Sequence, residues 1–419
     1  MNRTPWKAVV GAAACFALAG CGFGLEPTLT LITDRPEMAA YVDIFNATRT
    51  DVRVEMSYQE SPAQAVLDGT AGDLVIGSWL SSPAVMDRLD GLGDIVKPGK
   101  LEPSWFYHSL LSMGSRDNRP FLVPLSFSLP AIVYLPGQDT TELPPMFMPL
   151  DTLRNLSRPF NKTDKAGDVL QMGFSPSWDG NFLTETALLF GARFRPGRGG
   201  LPQWDENGLK KTVDFAHSWL VDVNGGSSDD AKFAVRTALV QPWYKLLTSQ
   251  KVRFALASFT ALFALPEDKR HDFDYRWLSQ DGLIPVMDDV LFGGVLRSSR
   301  NKAGARAFLL WFASPTTQES LLAANQSRRI GVFAVTDGFS ALKSINEKDL
   351  PQRYPLLIGH VPGERLLVFP ETLPDDWVKV RGTTTSDGVI WPWILSAARD
   401  PSTKPLDKTL QDWQNAQKK

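Results

Sequence analysis

From Thr28 onward strand-like and helix-like stretches alternate, and this alternation confines the chain to α/β architectures more firmly than any other feature it has. Residues 28–34 (TLTLITD) read as a buried strand. Pro36 opens a helix in which Met38, Tyr41, Val42 and Phe45 recur at helical spacing. Residues 52–58 alternate Val52, Val54, Met56 and Tyr58 as a second strand, and residues 63–67 form a short helix. Residues 73–80 (DLVIGSWL) are apolar without interruption, as a central parallel strand is. Serial βαβ units of this kind predict an open parallel sheet with helices on both faces.

The rhythm breaks at residues 120–135 (PFLVPLSFSLPAIVYL), where two strand-like runs lie end to end around Pro124 and Pro130. Proline is poorly tolerated inside a central strand, so this stretch predicts strands that cross between two domains. A second α/β region follows, with strands at 169–174 and 252–257 and helices at 181–192 and 204–221. Residues 276–286 read as extended, 292–298 as a strand, 302–312 and 316–324 as helices, and 331–336 as a further crossing. The tail from Arg399 is polar and reads as loosely packed. A chain of 419 residues is too long for one compact core, which agrees with two domains.

The first twenty residues stand apart from this pattern. Arg3 and Lys7 flank the start of an uncharged run ending at Ala19, which is the physical description of a secretory signal. The run is too short to span a bilayer, which takes roughly 20 apolar residues. It ends in Leu18-Ala19-Gly20-Cys21, which resembles the lipobox of bacterial lipoproteins. That resemblance implies cleavage before Cys21, acylation of its thiol, and residues 21–27 as a membrane tether. Each buried methylene contributes about 0.8 kcal/mol, so several acyl chains hold firmly without a transmembrane helix. An ordinary cleaved signal with an incidental cysteine is the alternative.

Cys15 and Cys21 are the only cysteines, and Cys15 falls inside the signal, so disulfides, thiol catalysis and cysteine-ligated metals drop out. His108, His217, His271 and His360 are scattered without metal-ligand spacing. The formal charge is −2, and about −4 once Arg3 and Lys7 are removed, which argues against a nucleic-acid partner. No cofactor is expected.

Six stretches carry a resemblance, in this order: residues 29–45 (LTLITDRPEMAAYVDIF), 73–80, 124–135, 172–194 (MGFSPSWDGNFLTETALLFGARF), 204–219 (WDENGLKKTVDFAHSW) and 307–322 (AFLLWFASPTTQESLL). Together they resemble the family 1 extracellular solute-binding proteins, the ligand receptors of ABC importers, especially those for sugars. The resemblance implies an α/β, two-lobe periplasmic-binding-protein-like fold of type II, each lobe an open, mostly parallel sheet flanked by helices, with a hinge between them. It implies a first lobe of residues 28–128 plus 276–325, a second of 129–275 plus 326–398, and a polar tail at 399–419. A monomer facing the periplasm or cell exterior would capture a small polar solute, a carbohydrate foremost, in the interlobe cleft. It would then release the solute unchanged to ABC permease subunits.

A sugar offers apolar faces and a rim of hydroxyls, so its receptor needs aromatic platforms beside directional hydrogen-bonding groups. In open α/β sheets such groups gather beyond the C-terminal ends of strands. Asp34, with Arg35 beside it, ends the first strand, and Asp34 could equally cap the helix after Pro36. Ser78 and Trp79 end the third strand, and Ser126 and Phe127 lie at the expected crossing. Ser175, Ser177, Trp178 and Asp179 join a strand to a helix start, and Ser258 and Phe259 follow VRFALA in the same way. Gly293 and Gly294 would let backbone approach a ligand closely. Trp391 and Trp393 read as packing, as do Trp204, Trp219, Trp277 and Trp311, while Asp288-Asp289 and Asp375-Asp376 read as solvated loop charges.

A glycosidase needs two carboxylates about 5–10 Å apart across a cleft, and a sequence with many acids does not exclude such a pair. No G-x-S-x-G elbow, H-E-x-x-H motif or phosphate loop is present, so the reading is a binding protein and not an enzyme. A sensing or interaction lipoprotein and a polyamine-type receptor, which would use carboxylates with aromatics, stay open as alternatives.

Overall fold

The computed structural model describes residues 28–137, 144–382 and 387–418, so the signal stretch, Cys21 and the tether lie outside the described residues. Two sheets organise the chain. The first has six strands in the order Phe339–Ser340, Val123–Phe127, Leu291–Val295, Leu74–Ser78, Thr28–Thr33, Arg53–Tyr58. Thr28–Thr33 pairs in parallel with Arg53–Tyr58 and with Leu74–Ser78. Leu29, Leu31, Ile32, Leu74, Val75 and Ile76 are fully buried, and Leu74–Ser78, buried along its whole length, is apolar from Leu74 to Gly77 without alternation. Helix Met38–Thr48 buries the Met38, Tyr41, Val42 and Phe45 stripe, and Phe45 meets the rings of Phe308 and Trp311 at 4.9 and 5.1 Å. Burying each such side chain contributes about 1.5–3 kcal/mol.

The second sheet has the order Ala255–Ser258, Pro130–Tyr134, Asp274–Ser279, Phe147–Pro149. Both sheets are mixed, not mostly parallel. Strands that leave the first sheet toward the other lobe run one way. Leu291–Val295, returning from that lobe, runs antiparallel to Leu74–Ser78 and Val123–Phe127, with Leu291 opposite Ser78.

The chain passes from one sheet to the other at Ser128 and Leu129, between the two proline-marked strands. The return falls after Ser279 and not at Arg276, because Asp274–Ser279 is hydrogen-bonded into the second sheet. Phe339–Ser340 still pairs with Val123–Phe127, so residues 331–336 do not carry the chain across. A third link comes later: Leu367–Val368 pairs in parallel with Ile284–Pro285 and leads to helices Trp377–Arg381 and Ile390–Arg399. Those helices share an apolar core with Leu183, Ala187, Leu209 and Ala216 of the second lobe. Val286 N donates to Val368 O at 2.8 Å and Met287 N to Ser128 O at 3.0 Å, so the three links are stitched together.

The polar tail is ordered. Leu406–Gln417 is a helix that buries Leu406 and Leu410, one turn apart, against the same core. No helix among the described residues is long and apolar enough to cross a membrane.

Candidate functional site

The C-terminal ends of Thr28–Thr33 and Leu74–Ser78 point toward the second lobe, and the polar groups of the site gather there. Arg35 donates through Nη2 to Ser78 Oγ at 2.9 Å, and Ser78 Oγ donates to Asp289 O at 2.9 Å. Asp34 lies 3.5 Å from Arg35 Nε. The next residue, Trp79, has a left-handed backbone (φ 58°), a conformation that for a bulky residue costs about 1–3 kcal/mol and persists only where the surroundings impose it. That backbone aims the indole out of the sheet toward the second lobe, where the Arg381 guanidinium sits 5.9 Å from its ring. Arg381 also lies 4.6 Å from the Trp391 ring, donates to Asn181 Oδ1 at 3.0 Å and pairs with Asp288 at 3.3 Å. Trp377 Nε1 donates to the same Asp288 oxygen at 2.6 Å.

Many polar atoms here are buried with no hydrogen-bond partner. Those without one among the described residues include Glu37 Oε1, Trp79 Nε1, Trp178 Nε1, Asp289 Oδ1 and both carboxylate oxygens of Glu185, while Asp34 Oδ1 and Arg35 Nε meet only as an ion pair. Buried polar atoms are nearly always satisfied in folded proteins, so a concentration of orphans marks a place where a partner arrives from outside. Burial raises the carboxyl pKa values of Asp34, Glu37, Asp179 and Asp289, and lifts that of Glu185 well above the carboxylate range. Arg35 opposes the rise at Asp34, and Asp288 adds to it at Glu185 and Asp289.

A cavity of about 220 Å³ lies between the two lobes, lined by Gln64, Trp79 and Ser82 on one side and Pro374, Trp377 and Lys379 on the other. A larger groove of about 670 Å³ runs past Ser109, Arg195 and Phe369. None of the unpartnered buried atoms lines that groove, so the Trp79 side is the candidate site.

Of the residues singled out in the sequence, Trp79 lines this cavity, Asp34 and Ser78 are joined through Arg35, and Asp179 lies within the charge of Arg381. Asp179 also caps helix Gly180–Leu189, accepting from Asn181 N at 2.8 Å. Trp178 stands next to it with its indole N–H free, its ring stacked on Phe233 at 5.7 Å. The remaining candidates are engaged elsewhere. Ser175 and Ser177 share a hydrogen bond, and Ser177 donates to buried Asp230, which Asn224 also holds. Ser126 bonds Thr336 O at 3.3 Å, and Phe127 packs among Tyr107, Phe339 and Phe369. Ser258 caps a helix by accepting from Ala261 N, and Phe259 touches five other aromatic rings. Gly293 and Gly294 serve packing: an added Cβ would fall 2.6 Å from Leu309 Cδ2 and 2.9 Å from Leu122 and Leu89 respectively.

Asp288 and Asp289 are not solvated loop charges. Asp288 is buried in its pair with Arg381, and Asp289 has an orphaned oxygen. They stand where the returning chain enters the first sheet, so the cleft draws on strand starts as well as strand ends. Arg381 and Glu185 also went unread. Glu185 alone carried a signal, a single carboxylate among apolar residues on the buried face of GNFLTETALL.

A scan against protein-family models finds no match, and a search of curated proteins finds none either. Solved structures do match. The sugar-binding protein MalE from the phytopathogen Xanthomonas citri superposes with a TM-score of 0.68 at 11% identity, over 92% of this chain and 95% of that one. The maltose-binding periplasmic protein MalE from Listeria monocytogenes, in complex with maltose, gives 0.61 at 16% identity, over 94% and 99%. The galacto-N-biose-/lacto-N-biose I-binding protein of an ABC transporter from Bifidobacterium longum, in complex with lacto-N-biose, gives 0.58 at 15% identity, over 91% and 97%. The chain has the two-lobe fold of these sugar-type solute-binding proteins over nearly its whole described length.

Proposed function

We propose that the chain is an extracytoplasmic solute-binding protein that captures a carbohydrate between its lobes and passes it, unchanged, to an ABC importer permease. The observation that carries this reading is the gathering of unpartnered polar atoms beside a strained tryptophan at the mouth of the cleft. An indole face with orphaned donors and acceptors at its rim is what a sugar ring needs. The bound maltose and lacto-N-biose of the structural relatives support a saccharide over other polar solutes. Acylation of Cys21, which the lipobox resemblance implies, would keep the receptor close to its permease and raise the local concentration of each for the other.

Calorimetry and thermal-shift titration against mono-, di- and trisaccharides test the capture step. A saccharide that binds and raises the melting temperature is the expected outcome, and binding that survives both Trp79→Ala and Asp289→Asn would reject this cleft as the site. Metabolic labelling with palmitate tests the anchor, because Cys21→Ala should abolish incorporation.

A further inference from the structure

We propose that a small cavity behind Trp377 seats a positively charged amino group, so that the captured solute is an amine-bearing saccharide. This rests on the reading of the interlobe cleft as the solute site and narrows its ligand.

The cavity has about 30 Å³ of free space, and Glu185, Thr184, Asp288, Leu373 and Trp377 enclose it. A single water needs roughly 10–15 Å³ by this measure, so the space takes one or two water-sized groups and no sugar ring. An ammonium group is of water size. Trp377 lines both this cavity and the larger one beside Trp79, so the two lie on either side of a single side chain.

Glu185 is 1% exposed, and neither carboxylate oxygen has a hydrogen-bond partner. Together the two oxygens can accept about four hydrogen bonds, and an ammonium brings three donors. Asp288, which also lines the cavity, already accepts a hydrogen bond from Trp377 Nε1 and is ion-paired with Arg381. The surrounding charge has the same sign. Asp288, Asp289 and Asp179 act on Glu185 with one sign, and Arg381 acts with the other. At the rim Arg193 and Glu371 lie 3.5 Å apart as an ion pair, which leaves the sign of the cavity unchanged.

Burial, together with the charge of Asp288, raises the Glu185 carboxyl well above its ordinary value, while Arg381 pulls the other way and Asp289 and Asp179 reinforce the rise. An arriving ammonium reverses that balance. Any proton held by Glu185 passes to solvent, the carboxylate takes hydrogen bonds from the three N–H groups, and the solute keeps its charge. A hydroxyl in the same place gains no such ion pair.

Isothermal calorimetry of the intact chain with matched pairs tests this: glucosamine and glucose, galactosamine and galactose, mannosamine and mannose, and the 1,4-linked glucosamine and glucose disaccharides, with spermidine as a non-sugar amine. At least one amine member should bind about tenfold or more tighter than its hydroxyl partner, as a charge-assisted hydrogen bond does over a neutral one. Runs in buffers of different ionisation enthalpy should report release of about one proton. Glu185→Gln should erase the gap by weakening the amine member. A gap that persists in Glu185→Gln, absence of proton release from the unsubstituted chain, or hydroxyl members binding as tightly as amines would overturn the inference and leave sugar capture standing. Spermidine binding without any saccharide would overturn sugar capture and the inference together, as would no binding at all.

Discussion

Arg381 and Trp79 meet across the cleft, with the guanidinium of one lobe 5.9 Å from the indole of the other and a second indole, Trp391, on its far side. A cation of the chain itself thus sits against the Trp79 indole. Cation–π contact of this kind contributes about 0.5–2 kcal/mol.

Removing Arg381 leaves Asp288 buried without its counter-charge. Arg381→Ala should therefore destabilise the protein by about 3–5 kcal/mol, read as a fall in the denaturation midpoint. The double variant Arg381→Met with Asp288→Asn should recover much of that loss, because the two residues are directly coupled.

Trp79 and Phe259 both stood out in the sequence as platforms, and the structure separates them. Phe259→Ala opens a hole in a ring cluster and should cost about 3–5 kcal/mol of stability. Trp79→Ala should instead lower solute affinity by about tenfold or more at a smaller stability cost, since its indole is only half-buried. Chemical denaturation and calorimetry on both variants check the contrast.

Gly180 opens the helix beneath Trp391, and a Cβ there would lie 1.8 Å from Cε3 of the indole. Gly180→Ala should cost about 1–3 kcal/mol through overpacking, seen as a lowered melting temperature. Pairing it with Trp391→Phe should give a cost smaller than the sum of the two single variants.

The buried acids set a pH dependence. Asp34, Glu37, Asp179, Glu185 and Asp289 all have carboxyls raised above their ordinary values of 3.8 or 4.5. Between those values and the raised ones the folded state holds more protons than the unfolded state, so stability falls as pH rises. The ligand-free protein should melt at a higher temperature near pH 5 than near pH 7.5. Glu185→Gln, which removes the most strongly shifted group, should flatten that slope in a series of thermal melts.

Much of the fold was legible because it is local. The apolar runs at Leu74–Ser78 and Thr28–Thr33 are central strands, and the Pro124 and Pro130 breaks do bracket the first crossing. The later links were harder. Asp274–Ser279 reads as extended whichever sheet it joins, and only its pairing with Tyr134 and Phe147 assigns it. The site divides in the same way. Trp79 is a candidate from its position at a strand end, whereas Arg381 reaches Asp288 and Trp79 from far along the chain, in a helix the sequence does not mark. Gly293 and Gly294 looked like openings for a ligand because a sequence does not reveal that Leu309 and Leu89 press on them.

Where the lobes join, Phe259 contacts Phe333 and Phe339 at 5.0 and 6.0 Å, Trp277 contacts Phe339 at 5.7 Å, and Phe339 stacks on Phe127 at 5.8 Å. Interlocked rings resist sliding past one another but can roll, so on the proposed reading of a closing cleft this cluster is where the lobes would turn. The work of turning about it is a fixed quantity, independent of what occupies the cleft. Apparent affinity is intrinsic affinity scaled by the fraction of molecules able to shut. A ring exchanged at the pivot would retune the receptor for every solute by one common factor and leave its ranking of solutes intact.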